Sequence, residues 1–240
     1  PGAMTDWLSE VAAENGVHLV AGILERDSDS VYSTAVLIGN TGNLITTYRR
    51  MAIYDLESYF LTPGSQYSWI DTQIGRIGLV VGYDIQFPEV LRALFAAGVE
   101  ILVCPSLLLR PFADSIRQMI LARAAENCCF ILYCSATGEN TLAGLTYMGG
   151  SVVAQSPVGV RAYSNEFRRQ PSTLAELDRD EDLVVADLAL GDLRRLHAAN
   201  PLVKDFRRSH LCEVLINAHP GALHGTEESS SNCARAVPLA

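Results

Sequence analysis

The stretch from Ile74 to Ser106, IGRIGLVVGYDIQFPEVLRALFAAGVEILVCPS, constrains this chain more than any other. Leu79, Val80 and Val81 form an apolar run between Gly78 and Gly82, the pattern of a strand buried on both faces. Pro88 suits a first helical position, where its missing N–H costs nothing. Val90, Leu91, Leu94 and Phe95 recur at helical spacing, and Gly98 supplies a left-handed stop. Ile101, Leu102 and Val103 open a second strand. The stretch is therefore a βαβ unit, and chemistry in such folds gathers at the carboxyl ends of the strands. Here that position is Gly82.

The rest of the chain alternates helices with antiparallel hairpins. Thr5 is expected to cap a helix carrying Trp7, Leu8, Val11 and Ala12 on one face and ending at Gly16. A strand follows over Val17–Ala21, then Val31–Ile38 and Leu44–Tyr48 as a hairpin turned by the Gly/Asn-rich residues 39–43. Ser115 and Gln118 read as a capping box for a helix to about Asn127, with Ile116, Met119, Ile120 and Ala124 facing the core. Phe130–Ser135 reads as a strand, and Gly149–Ala154 with Val160–Tyr163 as a hairpin around Pro157. Asn165–Asp182 reads as a polar loop, Leu183–Asp187 as a last strand, and Leu193–Ala199 as a short helix. The class is layered α/β with a mixed sheet.

The length of 240 residues suits one large α/β domain, expected over residues 5–218. Residues 1–4 read as a cloning remnant ahead of a native start near Met4 or Thr5, and 219–240 as a mobile tail of Gly, Ser, Thr and Glu. A net charge of −9 argues against nucleic acid or an anionic membrane as partner. No apolar run approaches the ~20 residues of a membrane span. The six cysteines, Cys104, Cys128, Cys129, Cys134, Cys212 and Cys233, form no CxxC pair and are expected to be buried thiols of a reducing, cytoplasmic compartment. Five scattered histidines show no metal-ligand spacing, so neither metal nor cofactor is expected.

The segment VVGYDIQFPE resembles the nucleophile segment of the carbon–nitrogen hydrolase (nitrilase/amidase) superfamily, written Cys-Tyr-Asp-x-Arg-Phe-Pro-Glu. Tyr83, Asp84, Phe87, Pro88 and Glu89 match it. Gly82 stands at the nucleophile position and Gln86 at the Arg position. Thr47–Arg50 with Ile53–Asp55 resembles the Tyr-Arg-Lys-x-His-Leu-Tyr-Asp block, and Glu57-Ser58 with Pro63-Gly64 the Glu-Ser-Asp…Pro-Gly block. Cys104-Pro105-Ser106, Ala122–Asn127, and Gly149–Ser151 through Gly159 match three further motifs in the family's order. Leu193–Arg195 followed by Phe206–Arg208 is similar to the terminal segment of the branch that includes deaminated-glutathione amidases.

The resemblance implies a four-layer α-β-β-α sandwich, here without its first strand–helix unit. It also implies a homodimer or higher oligomer through the Pro88–Ala97 helix. The family's site is a Glu-Lys-Cys triad in which Cys attacks the amide or nitrile carbon, Glu takes its proton and Lys steadies the tetrahedral intermediate. In this chain Gly82 has no side chain and Arg50 stands where the Lys belongs. The early strand carrying the family's Glu has no counterpart, either trimmed or natively absent. Glu57 matches the second, supporting Glu.

The expectation is a catalytically inactive homologue that binds a ligand or mediates oligomerisation. Arg50, Glu57, Tyr83 and Ser106 would rim a pocket for a small carboxylate or amide, since a guanidinium suits a carboxylate. The alternative is an amidase acting on a small ω-amide or N-carbamoyl compound. Cys104 or Cys134 at a neighbouring strand end would then be the displaced thiol, although a buried core cysteine is the plainer reading of each. Glu89 with Glu57 as an acid–base pair is a third option, weighed against Glu89 simply serving a helix start.

Overall fold

The computed structural model describes residues 2–141, 144–161 and 166–206. It begins with helix α1 (Ala3–Asn15), which ends at Gly16 in the left-handed conformation (φ 63°). Gly2, not Thr5, occupies the cap; Thr5 lies one turn in, where its hydroxyl donates to the Gly2 carbonyl and accepts its N–H, both at 2.7 Å. The buried stripe is Leu8 and Ala12, which pack on Val36 and Ile38; Trp7 is exposed and Val11 half-buried. A narrow i, i+4 contact is enough because the sheet beneath presents alternate residues only.

That sheet is an antiparallel meander of β1 (Leu19–Asp27), β2 (Ser30–Ile38) and β3 (Leu44–Arg49). Along β2 the side chains sort by parity. Val36 and Ile38 face α1, while Ala35 and Leu37 join Tyr48 in the main core. The turn at residues 39–43 forms as expected, and β1 starts later and runs six residues beyond the expected Ala21.

The second sheet has the order β13-β10-β7-β6-β5-β4. It uses β4 (Ser68–Thr72), β5 (Gly75–Leu79), helix α2 (Pro88–Ala96), β6 (Ile101–Ser106), helix α3 (Ala113–Asn127) and β7 (Phe130–Ser135). Strands β5, β6 and β7 are parallel. Between them α2 buries Val90, Leu91, Leu94 and Phe95, and α3 buries Ile116, Ile120 and Ala124. Helix α3 starts two residues before Ser115, whose hydroxyl donates to the Phe112 carbonyl at 2.9 Å and caps nothing. The two sheets meet closely: a Cβ built on Gly22 of β1 would lie 3.3 Å from Pro105 Cβ of β6. The layers are thus α1, the meander, the six-stranded sheet, and α2 with α3, the α-β-β-α order expected from the sequence.

Beyond β7 two short strands, β8 (Glu139–Asn140) and β9 (Leu145–Thr146), pair with each other. The next part corrects the expected hairpin. β10 (Val152–Ala154) pairs with β7 and β13 (Thr173–Glu176), whereas β11 (Val158–Val160) pairs with β12 (Phe167–Arg169). Residues 152–160 and 167–176 form the two arms of one long hairpin, joined in the middle by Gln155 N–H to Ser172 O and Gln170 N–H to Pro157 O, both at 2.9 Å. Its returning arm has the composition of a polar loop because β12 is exposed throughout and β13 in part, so neither needs an apolar alternation. The end of the expected strand at Tyr163 lies outside the described residues.

Leu183–Asp187 does not form a strand. Leu183 and Val185 are exposed, and the segment has no ladder among the described residues. Helices α4 (Leu190–Ala199) and α5 (Pro201–Phe206) close the described chain. Leu196 and Val203 bury against Phe95, Cys128 and Val160, and Arg194 holds Glu100 through contacts of 2.6 and 2.9 Å. The expected tail at 219–240 falls outside the described residues, as does the last part of the expected 5–218 domain.

Gly64 is the tightest backbone contact. A Cβ there would sit 2.0 Å from the Arg49 carbonyl oxygen, while the Gly64 N–H donates to the Arg50 carbonyl at 2.7 Å. Gly64→Ala is therefore expected to destabilise the fold by about 2–4 kcal/mol, read from urea denaturation midpoints. An unchanged midpoint would show that the 60–64 segment can move away freely.

Candidate functional site

The site lies where β5 and β6 end. β5 runs out at Leu79, and Gly82 opens a 3-10 turn over Gly82–Gln86 with φ 42°. That backbone favours glycine, because L side chains are strained in the left-handed region. Space is not the obstacle: a Cβ on Gly82 would meet Ser106 Oγ at 3.5 Å, an ordinary contact. Gly82 and Ser106 are thus neighbours. Ser106 Oγ accepts the Leu108 N–H at 3.2 Å and the Tyr133 hydroxyl at 2.7 Å.

Asp84 anchors the turn. It is fully buried, and its carboxylate accepts the Val81 N–H (3.1 Å), the Ala52 N–H (2.9 Å) and the Tyr48 hydroxyl (2.9 Å). Burial pushes its pKa above the ordinary carboxylate value, opposed by those three donors and by the charge of Arg50. Tyr48 is held far above the ordinary phenol value, first by burial and then by the Asp84 charge. From the helix side Arg123 donates to the Ile85 carbonyl (3.3 Å) and the Gln86 carbonyl (3.1 Å), and pairs with Glu126 at 3.1 Å. Tyr48, Arg123 and Tyr133 were not singled out from sequence. Tyr48 and Arg123 stand inside matched motifs, which was the available signal; Tyr133 carried none.

Arg50 follows β3 and is buried, its N–H donating to the Ser33 carbonyl at 2.8 Å. Its guanidinium forms a salt bridge with Glu57, which also accepts the Tyr54 N–H at 3.1 Å. The Arg50 Nε is buried with no partner among the described residues. Tyr83 packs edge-on against Tyr54 (5.3 Å between ring centroids) and Phe87 (5.1 Å), and Tyr54 reaches Phe112 at 6.5 Å. Arg50, Glu57 and Tyr83 are therefore linked through Tyr54. What the cluster offers is a guanidinium, a carboxylate, a hydroxyl and aromatic edges.

The displaced-thiol candidates part company. Cys104 is fully buried, and burial raises its thiol well above the ordinary range despite a hydrogen bond from the Gly82 amide. Cys128 and Cys129 are buried and raised for the same first cause. Cys134 is exposed, which corrects the expectation of a buried thiol. It pairs in register with Pro105, whose face packs under β1; β1 is an edge strand, so one strand further out no described strand covers Cys134. Cys212 and Cys233 lie outside the described residues. Glu89 is exposed in the first turn of α2, and Glu57 is engaged by Arg50, so the expected acid–base pair does not form as a unit. Among the described residues no group of His, Cys, Asp and Glu is placed to hold a metal, and no helix is long and apolar enough to cross a membrane.

The fold is an α-β-β-α sandwich with its candidate site at the strand ends, and comparison with known proteins fixes the family. The carbon-nitrogen hydrolase family model matches residues 1–198, and the chain belongs to that family. A nitrilase of Pyrococcus abyssi is 30% identical over 210 residues, covering 87% of this chain and 74% of the relative. A 2-oxoglutaramate amidase of Bacillus subtilis is 29% identical, covering 84% and 73%. The nitrilase-superfamily branch 10 protein of Saccharomyces cerevisiae superposes with a TM-score of 0.74 at 25% identity, covering 87% of this chain and 73% of that one. A variant of the Nesterenkonia sp. AN1 amidase, with the acetamide moiety of fluoroacetamide joined to its active site cysteine, gives a TM-score of 0.71 at 26% identity, covering 88% and 72%.

Two outcomes follow for the site. Asp84→Asn presents an amide donor to donors, so a loss of about 2–4 kcal/mol is expected in denaturant unfolding. A loss below about 0.5 kcal/mol would mean the three contacts are replaced by water. In a Cys212→Ser/Cys233→Ser chain at pH 8, one thiol, Cys134, is expected to react quickly with Ellman's reagent; Cys104, Cys128 and Cys129 should react after unfolding only. Fast native reaction of Cys104 would reopen the displaced-thiol reading.

Proposed function

We propose that this chain is a carbon–nitrogen hydrolase family member that no longer hydrolyses its ligand through a thiol and instead binds a small carboxylate or amide. The observation that carries the reading is Gly82: at the strand end where the family motif places its nucleophile there is backbone alone, in a conformation that favours glycine. Function follows the site and not the fold. The guanidinium of Arg50, held by Glu57, would supply donors to a carboxylate or amide oxygen, with Tyr83 reached through Tyr54 and Ser106 lying beside Gly82. An Arg at this place cannot act as a compact ammonium would, because its planar fork is wider.

The names of the relatives support the ligand class. Proteins called 2-oxoglutaramate amidase and omega-amidase match 84–89% of this chain, which points to small ω-amides and their acids. The second reading, an amidase acting through Cys104, is favoured by one contact, the Gly82 amide on the Cys104 sulfur. Full burial of that sulfur opposes it.

The test measures ammonia release from a panel of ω-amides and N-carbamoyl acids, beside calorimetric titration with the same compounds and their acids. Expected are no release, binding by the native chain, and at least about tenfold weaker binding by Arg50→Met. Release that disappears in Cys104→Ala would overturn the proposal and place the nucleophile at Cys104.

A further inference from the structure

Gly82 leaves room beside Ser106. It is buried in its turn, yet at the point where a side chain would begin the one described residue within 4 Å, its chain neighbours apart, is Ser106, with Oγ 3.5 Å away. That hydroxyl is already engaged from two other sides. Its oxygen accepts the Leu108 N–H at 3.2 Å and the Tyr133 hydroxyl at 2.7 Å. A serine hydroxyl has two acceptor positions and one proton, so both acceptor positions are taken and the proton alone is free. Tyr133 fixes this polarity. It is 2% exposed on β7, and its phenol has a second acceptor in Met148 Sδ at 3.5 Å. A thioether is a weak acceptor, so the shorter contact to Ser106 takes the phenol proton. Burial also raises the Tyr133 pKa above the ordinary phenol value, which keeps that proton in place at working pH. The backbone around Ser106 is held as well: its carbonyl accepts the Ala136 N–H at 2.9 Å, and the Leu108 carbonyl accepts the Met148 N–H at 3.0 Å.

We infer that Tyr133 is a positioning residue for ligand binding: it holds Ser106 as a donor, so the recess over Gly82 takes a ligand's acceptor oxygen, the C=O end of an amide, and rejects a donor end. The inference rests on the binding role proposed above and adds the direction in which the ligand lies. A primary amide enters with its oxygen beside Ser106 and its nitrogen turned away. Without the Tyr133 hydroxyl, Ser106 would keep an acceptor position free and could meet either end of the ligand by rotation. The polarity therefore belongs to the pair and not to the serine. Its two members come from the neighbouring parallel strands β6 and β7, 27 residues apart.

The experiment titrates the full chain with propionamide and with thiopropionamide, which has the same shape and a weaker sulfur acceptor, and reads binding from the ligand NMR signals. The native chain is expected to bind the oxygen compound at least about fivefold more tightly, the size of one neutral hydrogen bond. Ser106→Ala and Tyr133→Phe should each bring that ratio to within about twofold of one. Loss of packing alone weakens both compounds together and leaves the ratio where it was, so the ratio separates positioning from structure. Met148→Leu removes the other acceptor of the phenol and keeps both hydroxyls; it should leave the ratio unchanged, and a changed ratio overturns the assigned polarity. A native ratio near one, or a ratio that survives in Ser106→Ala or Tyr133→Phe, overturns the inference and leaves the binding role standing. Binding of neither compound by the native chain overturns the binding role and this inference with it.

Discussion

The Asp84 carboxylate is the contact on which the arrangement at this strand end depends. It gathers a phenol from β3, an amide from the segment after β3 and an amide from the end of β5 onto one fully buried group. An ionised carboxylate at such depth carries a large desolvation cost, and the rise in its pKa is that cost made visible. The three donors offset it, and in doing so they bring the Arg50 segment against the Gly82 turn. Arg123 braces the same turn from α3. None of these contacts uses a side chain at position 82.

Much of this was legible in the chain because burial on both faces leaves a strong pattern. β7 begins and ends where its apolar run does, at Phe130 and Ser135, and α2 buries the four residues its spacing nominated. Positions that answer to local chemistry were harder. Thr5 looks like a cap, yet Gly2 takes that place because the helix extends one further turn toward the N-terminus. β12 and β13 gave no signal, since a hairpin arm half in water needs no alternation. Leu183–Asp187 shows the reverse error. Its β-branched run reads as a strand, but a strand needs a neighbour, and the neighbour is not encoded in the run itself.

The site divides along the same line. Motif order nominated Gly82, Arg50, Glu57, Tyr83 and Ser106; the pairings of Gly82 with Ser106, Arg50 with Glu57 and Tyr83 with Tyr54 are read from the structure. How they are engaged did not follow. The sequence shows an Arg and a Glu seven positions apart and cannot show that they form a salt bridge. Nor can it show that Cys104 is sealed while Cys134 is open, because that difference depends on where the edge of the opposing sheet falls.

That Arg50–Glu57 pair also weighs on which ligand the proposed binding role would admit. One guanidinium faces two carboxylates, Glu57 by direct contact and Asp84 through its charge. A ligand carboxylate entering here adds a third negative group around one positive group, so it must displace Glu57 or share the fork. A neutral primary amide meets no such opposition: its oxygen can accept from the guanidinium and its N–H can donate to Glu57. On the proposed binding role, the local charge balance favours the amide, and a carboxylate would compete only where the remainder of the molecule gains contacts along the aromatic edges of Tyr54 and Tyr83.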